Sequence, residues 1–180
     1  RGEDPAAATA VRILRDDGHL YIGATMEVPD SAKLVAQTTE RDDPAAFRDD
    51  RIEFDFDLRR KGVLDIPRFY RIAVTAGGAV ADGVATVPLV INAAHHSAWD
   101  EFWSPPGVLA AVRRDTGSWT AEAAIPFAAF PECGTRPPRE IRMQITRRNV
   151  SAPGGAFSWS PTLAESYEYD LDRMATLLLD

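Results

Sequence analysis

The chain is poor in residues that staple or ligate. Cys133 is its one cysteine among 180 residues, so no internal disulfide forms and packing alone must hold the core. Its three histidines include the adjacent pair His95 and His96, and nothing has the Cys/His spacing that zinc requires. No stretch approaches the roughly 18 apolar residues of a membrane span, which argues against membrane insertion. Basic residues are outnumbered, with 20 Lys and Arg against 27 Asp and Glu, for a net charge of −7 and a pI near 5.0. A nucleic-acid surface would be basic, so that class of partner is excluded. The sequence starts at Arg1 with neither methionine nor an apolar leader, and the expectation is a segment cut from a longer precursor.

What is present fits one soluble β domain. The hydrophobic fraction of 45% and charged fraction of 26% are ordinary, and the length suffices to bury a full core. No repeat or linker divides the chain, so residues 1–180 read as a single domain with residues 1–8 as a loose lead-in. Short alternating runs separated by turn signals recur throughout. Thr9–Arg15 and His19–Val28 flank Asp16-Asp17-Gly18 and read as a hairpin, as do Leu109–Arg114 and Trp119–Ile125 around Asp115-Thr116-Gly117. Further strands are expected over Arg51–Leu58, Phe69–Thr75, Val84–Asn92, Arg139–Arg148, Phe157–Ser160 and Ala175–Leu179. Pro88 would place the third of these at an edge or a bulge. Ser31–Phe47 reads as a long polar loop, and Pro126–Phe130 as one helical turn. Ala93–Gly107 is expected to be a loop in which Trp99 and Trp103, at i and i+4, form one turn of helix covering the domain. The alternative for that pair is an exposed aromatic platform. About ten short strands with little helix mean an all-β fold, a two-sheet antiparallel β-sandwich of immunoglobulin-like or jelly-roll-like kind.

The most informative stretch is Arg51–Asp57, which alternates strictly. Ile52, Phe54 and Phe56 point to one side, and Arg51, Glu53, Asp55 and Asp57 to the other. Three carboxylates and a guanidinium on one strand are more charge than a passive solvated face needs. Phasing the other strands by their apolar residues puts Phe69, Arg71 and Ala73 opposite Tyr70, Ile72 and Val74. It likewise puts Arg142, Gln144 and Thr146 opposite Ile141, Met143 and Ile145. Carboxylate, guanidinium and carboxamide are planar groups that make paired hydrogen bonds, a set suited to vicinal hydroxyls. Sugars also present apolar C–H faces that stack on aromatic rings, and Phe47 and Tyr167 lie in two loops that could flank such a site. Periodicity alone leaves another reading open, a surface cross-strand ion pair between Glu53 and Arg71.

Several segments together form a series that resembles family 9 carbohydrate-binding modules and their relatives. They are His19-Leu20-Tyr21-Ile22, Asp50-Arg51-Ile52-Glu53-Phe54-Asp55-Phe56-Asp57 and Tyr70-Arg71-Ile72-Ala73-Val74. Trp119 to Phe127 (Trp-x-x-Glu-x-x-Ile-Pro-Phe) and Ser158-Trp159-Ser160-Pro161 continue the series. The resemblance runs from Thr9 to Leu179, carried more by order and spacing than by any one motif. It implies a two-sheet β-sandwich related to DOMON domains that clamps a sugar ring between two aromatics beside a polar cluster. Carried over by position, the aromatics are Phe47 and Tyr167, where sugar-binding members have tryptophan, and the polar cluster is Glu53, Arg71 and Gln144. The glycine usual before the last strand is replaced by Asp172-Arg173-Met174.

The expected function is non-catalytic binding of a mono- or oligosaccharide or a polysaccharide end by those five residues. The module is expected to belong to a larger exported bacterial protein, whose other domains are possible partners. Arg71→Ala is expected to abolish binding with little loss of folding. Three alternatives stay open at this point. One is a spacer or interaction module with a lapsed site. The second is a haem-binding DOMON-type domain using Met26 with His95 or His96. The third is a glycosidase built on paired carboxylates such as Glu53 and Asp55, for which no nucleophile with its base and no metal motif is evident. No cofactor is expected beyond a structural calcium ion, for which Asp42, Asp43, Asp49, Asp50 and Asp170 are available. Trp119 phases into the core, and Trp159 reads as core or as the floor of the site.

Overall fold

A computed structural model of the chain describes residues 7–58, 68–86, 98–100, 103–133, 137–150, 156–160 and 171–179. These residues form eleven strands: β1 Thr9–Arg15, β2 His19–Glu27, β3 Arg51–Asp57, β4 Arg68–Thr75, β5 Val80–Thr86, β6 Ala98–Asp100, β7 Leu109–Asp115, β8 Ser118–Pro126, β9 Glu140–Arg148, β10 Ala156–Ser158 and β11 Ala175–Leu178. They make two antiparallel sheets. The smaller has the order β1-β2-β8-β7, and the larger β10-β9-β3-β4-β5-β6 with β11 also paired to β9. The described helical segments are single 3₁₀ turns, among them Ser31–Lys33, Pro44–Arg48 and Phe127–Ala129. The architecture is the all-β sandwich that the alternation implies.

Alternation explains how the two sheets close on each other. Leu20, Ile22, Ala24 and Met26 of β2 and Trp119, Ala121, Ala123 and Ile125 of β8 form one inner surface. Ile52, Phe54 and Phe56 of β3, with Tyr70, Ile72 and Val74 of β4 and Ile141, Met143 and Ile145 of β9, form the other. Trp119 is buried to 1% exposure within this core. Burying a large aliphatic or aromatic side chain contributes about 1.5–3 kcal/mol, so this double layer holds the sandwich without a disulfide.

Two elements differ from the expectations. The strand expected over Val84–Asn92 starts four residues earlier, at Val80, and pairs with β4 from Val74↔Val80 to Arg68↔Thr86. The tryptophan pair does not make a helical turn. Trp99 lies in β6, its backbone paired with Ala85, and the Trp103 ring packs tilted at 4.7 Å from Tyr70 and stacks at 5.9 Å on Phe130 at the margin of the core. Strand pairing at the edge of the large sheet outweighs the helical spacing of two aromatics. Residues 59–67, 87–97 and 161–170, with the expected site residue Tyr167 and both histidines of the 95–96 pair, lie outside the described residues.

The long loop before β3 is pinned to the large sheet by two aspartates. Asp49 Oδ2 accepts from the amides of Gln37 and Thr38 and the hydroxyl of Thr38, each at 2.7 Å. Asp50 accepts from Val35 N at 2.9 Å and Val150 N at 2.7 Å, tying β3 to the end of β9. The Thr38 carbonyl lies so close to the β4–β5 turn that a Cβ on Gly77 would stand 2.1 Å from its oxygen. Glycine is required there by close approach of two backbones.

Candidate functional site

The outer face of the large sheet gathers the charged side chains of β3, β4 and β9. Register sets their order. Asp55 lies opposite Arg71 on one side and Gln144 on the other, while Glu53 lies between Ala73 and Thr146. Arg71 therefore makes its principal pair with Asp55, donating from Nε and Nη2 to Oδ1 and Oδ2 at 2.7 and 2.8 Å. Glu53 is a second, longer partner, 3.6 Å from Arg71 Nη2. Arg51 Nε donates to Glu53 Oε1 at 2.7 Å, and Arg142 Nη1 to Asp57 Oδ2 at 3.0 Å. The carboxylates of β3 thus sit in a ladder of guanidinium groups.

The face is covered. Glu53 is 0%, Asp55 1%, Gln144 2% and Arg71 5% exposed. These pairs are buried, not the solvated surface pair that periodicity left open. A buried, bidentate Arg–carboxylate pair is strong only because both members are present, and breaking it leaves a desolvated charge. Arg71 is therefore also positioned as an anchor of the fold, and Arg71→Ala is expected to cost stability as well as binding.

Phe47 arrives from the 3₁₀ turn Pro44–Arg48, which Asp43 caps by accepting from Ala45 N at 2.8 Å. The turn lays Ala46 and Phe47 over Ala73 of β4 and Ala81 of β5, two small side chains that leave room for the ring. The Arg51 guanidinium lies 5.2 Å from the ring centroid and donates to the Phe47 carbonyl at 2.7 Å. Arg71 similarly lies over Phe69, at 5.4 Å. On the opposite flank, the Gln144 carboxamide is engaged by backbone groups, with Oε1 accepting from Ile145 N at 3.1 Å and the remaining bonds going to Ser160. Nε2 donates to Ser160 O at 2.8 Å, and Oε1 accepts from Ser160 N at 2.9 Å. Between these flanks the fully buried Thr146 hydroxyl has no hydrogen-bond partner among the described residues. A buried hydroxyl left unpaired costs about 1–3 kcal/mol, and such an exception marks strain, a functional role, or a bound water or ion.

Four of the five expected site residues, Phe47, Glu53, Arg71 and Gln144, thus lie on one sheet face, while Tyr167 is outside the described residues. Strand phase put Arg51, Asp55 and Thr146 on this face but missed Arg51 and Asp55 as direct partners of the cluster, and it could not show that the Thr146 hydroxyl has no hydrogen-bond partner among the described residues. The register shift that swaps Glu53 for Asp55 carries no signal in a single sequence. Trp159 is neither core nor floor of this face. It stands half exposed at the sandwich edge, beside a cleft of about 310 Å³ lined by Phe157, Arg147 and Thr9.

The other chemistries weighed find little support in the geometry. The aspartates considered for calcium are engaged elsewhere, Asp49 and Asp50 on backbone amides and Asp43 as a cap. Asp42 accepts from Asp82 N and the Ser104 hydroxyl at 3.3 Å each. Asp170 lies outside the described residues, and among those described no cluster of three or more His, Cys, Asp or Glu side chains is placed to hold a metal. Met26, the haem ligand considered, is fully buried in the core. Burial, with help from Glu132, pushes the Cys133 thiol up to about 11, far from a reactive thiolate. Burial also pushes the Asp82 carboxyl up to about 6, against the pull of its partner Arg41. No described helix is long and apolar enough to cross a membrane.

No family model and no curated protein matches the sequence. Solved structures do match its fold. A Bacteroides uniformis protein assigned a carbohydrate-binding role aligns over 97% of this chain and 79% of its own, with a TM-score of 0.69 and 14% identity. A family 9 carbohydrate-binding module from Caldicellulosiruptor kristjanssonii, solved with glucose, aligns over 99% of this chain and 80% of its own, at a TM-score of 0.64 and 10% identity. A family 9 module from the same organism, solved with cellotriose, gives 0.56 at 10% identity over 98% of this chain and 76% of its own. The chain has the fold of the family 9 carbohydrate-binding modules.

Proposed function

We propose that this domain is a non-catalytic carbohydrate-binding module of an exported protein, and that its ligand docks at the outer face of β9, β3 and β4. The observation that carries the reading is the convergence of Phe47, Glu53, Arg71 and Gln144 on that face, around the Thr146 hydroxyl, which has no hydrogen-bond partner among the described residues. A sugar hydroxyl is donor and acceptor at once, so it complements a carboxylate, a guanidinium and a carboxamide set side by side. Phe47 supplies an apolar ring for a C–H face, and Tyr167 is the second ring of the clamp. Support comes also from the fold shared with modules solved with glucose and cellotriose.

A second reading has its own observation. Glu53 and Arg71 are almost wholly covered, and the Gln144 carboxamide is taken up by the Ser160 backbone and the Ile145 amide. That favours a spacer or interaction module in which the polar cluster has become purely structural. Calorimetric titration with glucose and cellotriose separates the two, with Phe47→Ala and Tyr167→Ala run alongside. Saturable binding weakened roughly 10-fold or more in both variants supports the clamp. The absence of binding to either sugar at millimolar concentration supports the structural reading.

A further inference from the structure

The smaller sheet carries a second candidate face, remote from the first. Its four strands stand in register, so the outward side chains form rows across it. One row is Leu14, Tyr21, Ala124 and Leu109, and the next is Arg12, Gly23, Glu122 and Ala111. A groove of about 620 Å³ runs over them. Its apolar rim is unusually bare: Leu14 is 72% and Leu109 69% exposed, and the Tyr21 ring between them is 38% exposed. That ring is held in place, because its hydroxyl donates to Asp16 Oδ2 at 2.8 Å and His19 stacks on it at 5.8 Å. Arg12 and Glu122 both line the groove, yet neither side chain has a hydrogen bond or ion pair among the described residues. Two strand spacings, about 10 Å, separate them across Gly23. Gly23 leaves the hollow between them open, since a Cβ built there would meet nothing within 4 Å.

We propose that this face is a second, independent binding groove for a neutral oligosaccharide, with Tyr21 as the stacking ring and Arg12 and Glu122 as the hydrogen-bonding pair. The charges choose the occupant. A guanidinium and a carboxylate without partners sum to zero, so the groove favours a ligand without net charge that both donates and accepts. On a chain of net charge −7, an anionic polymer would be repelled. The volume falls within the roughly 300–1,000 Å³ of ordinary ligand sites. A second copy of the chain is a poorer occupant. Four strands span about 14 Å, and a patch that wide falls well short of the roughly 800 Å² per partner of a stable interface.

The test is a backbone-amide NMR titration of the whole chain with cellotriose, and with maltotriose as the α-linked counterpart. Gly23→Val is the blocking variant, since the added methyls enter open space and a β-branched residue suits a strand. The proposal expects saturable shifts at Leu14, Tyr21, Gly23 and Glu122 with at least one of the trisaccharides. They should persist in Phe47→Ala and weaken roughly 10-fold or more in Gly23→Val, at unchanged melting temperature. It is overturned if neither sugar moves these amides at about 10 mM, or if Gly23→Val binds as well as the parent. Shifts that depend on protein concentration without sugar would also overturn it, by giving the face to a second copy. Because the two faces report through different amides, failure here is separate from failure at Phe47.

Discussion

Removing one guanidinium tests whether the polar face is buried as described. Arg71→Ala takes away both hydrogen bonds to Asp55, at 2.7 and 2.8 Å, and the longer contact with Glu53. Asp55 stays behind at 1% exposure with its charge uncompensated by Arg71. Breaking a buried pair this way costs about 3–5 kcal/mol, whereas an exposed pair contributes about 0–1 kcal/mol. For a domain of this size each kcal/mol lowers Tm by about 2–4 °C, so a fall of about 6–20 °C is expected. Urea unfolding of the parent, Arg71→Leu, Asp55→Leu and the double variant Asp55→Leu/Arg71→Leu makes a double-mutant cycle, with Arg71→Ala run alongside. The double variant should recover much of the loss, because apolar residues of similar volume replace a buried pair at little net cost. If Arg71→Ala costs less than about 1 kcal/mol, the face is solvated and the argument from burial fails.

Other perturbations read other parts of the fold. Gly77→Ala should destabilise by at least about 1–3 kcal/mol, the usual cost of overpacking, because its Cβ meets the Thr38 carbonyl; chemical denaturation gives the value directly. Asp49→Ala strips three donors of their acceptor, and a loss of about 2–4 kcal/mol is expected, with earlier amide exchange over residues 35–38. Asp82 provides a pH dependence of unusual sign. Its folded carboxyl titrates near 6, above the ordinary 3.8, so the folded state holds the extra proton. Its contribution to stability is therefore full below about pH 4 and lost as pH rises through 6, by about 3 kcal/mol. Asp82→Asn should flatten that part of the stability–pH profile, which a series of melts between pH 4 and 7 would show.

Much of the architecture was legible because buried apolar residues recur at every second position through β2, β3 and β8 and most of β9. Aspartate- and glycine-containing turns mark both hairpins of the smaller sheet. The start of β5 was hidden for a physical reason. Its outward residues Ala81 and Ala85 must be small, since Phe47 and Phe69 pack over them, so the contrast that marks a strand is blurred. Phase told which side Glu53, Asp55 and Arg71 face, but not the register that makes Asp55 the partner. Nor could alternation say that the polar side is itself covered, because a strand pattern describes one sheet and not what lies over it. The rows of the smaller sheet became visible only when four strands were set side by side.

The most direct test of sugar recognition at the large sheet is side-chain NMR of Arg71 and Gln144 during a cellotriose titration. Binding at this face predicts that the Arg71 guanidinium and Gln144 carboxamide signals move together, saturating at the same midpoint as the Phe47 ring. Saturable binding that leaves all three unmoved would contradict the account, since the sugar would then be held elsewhere on the domain.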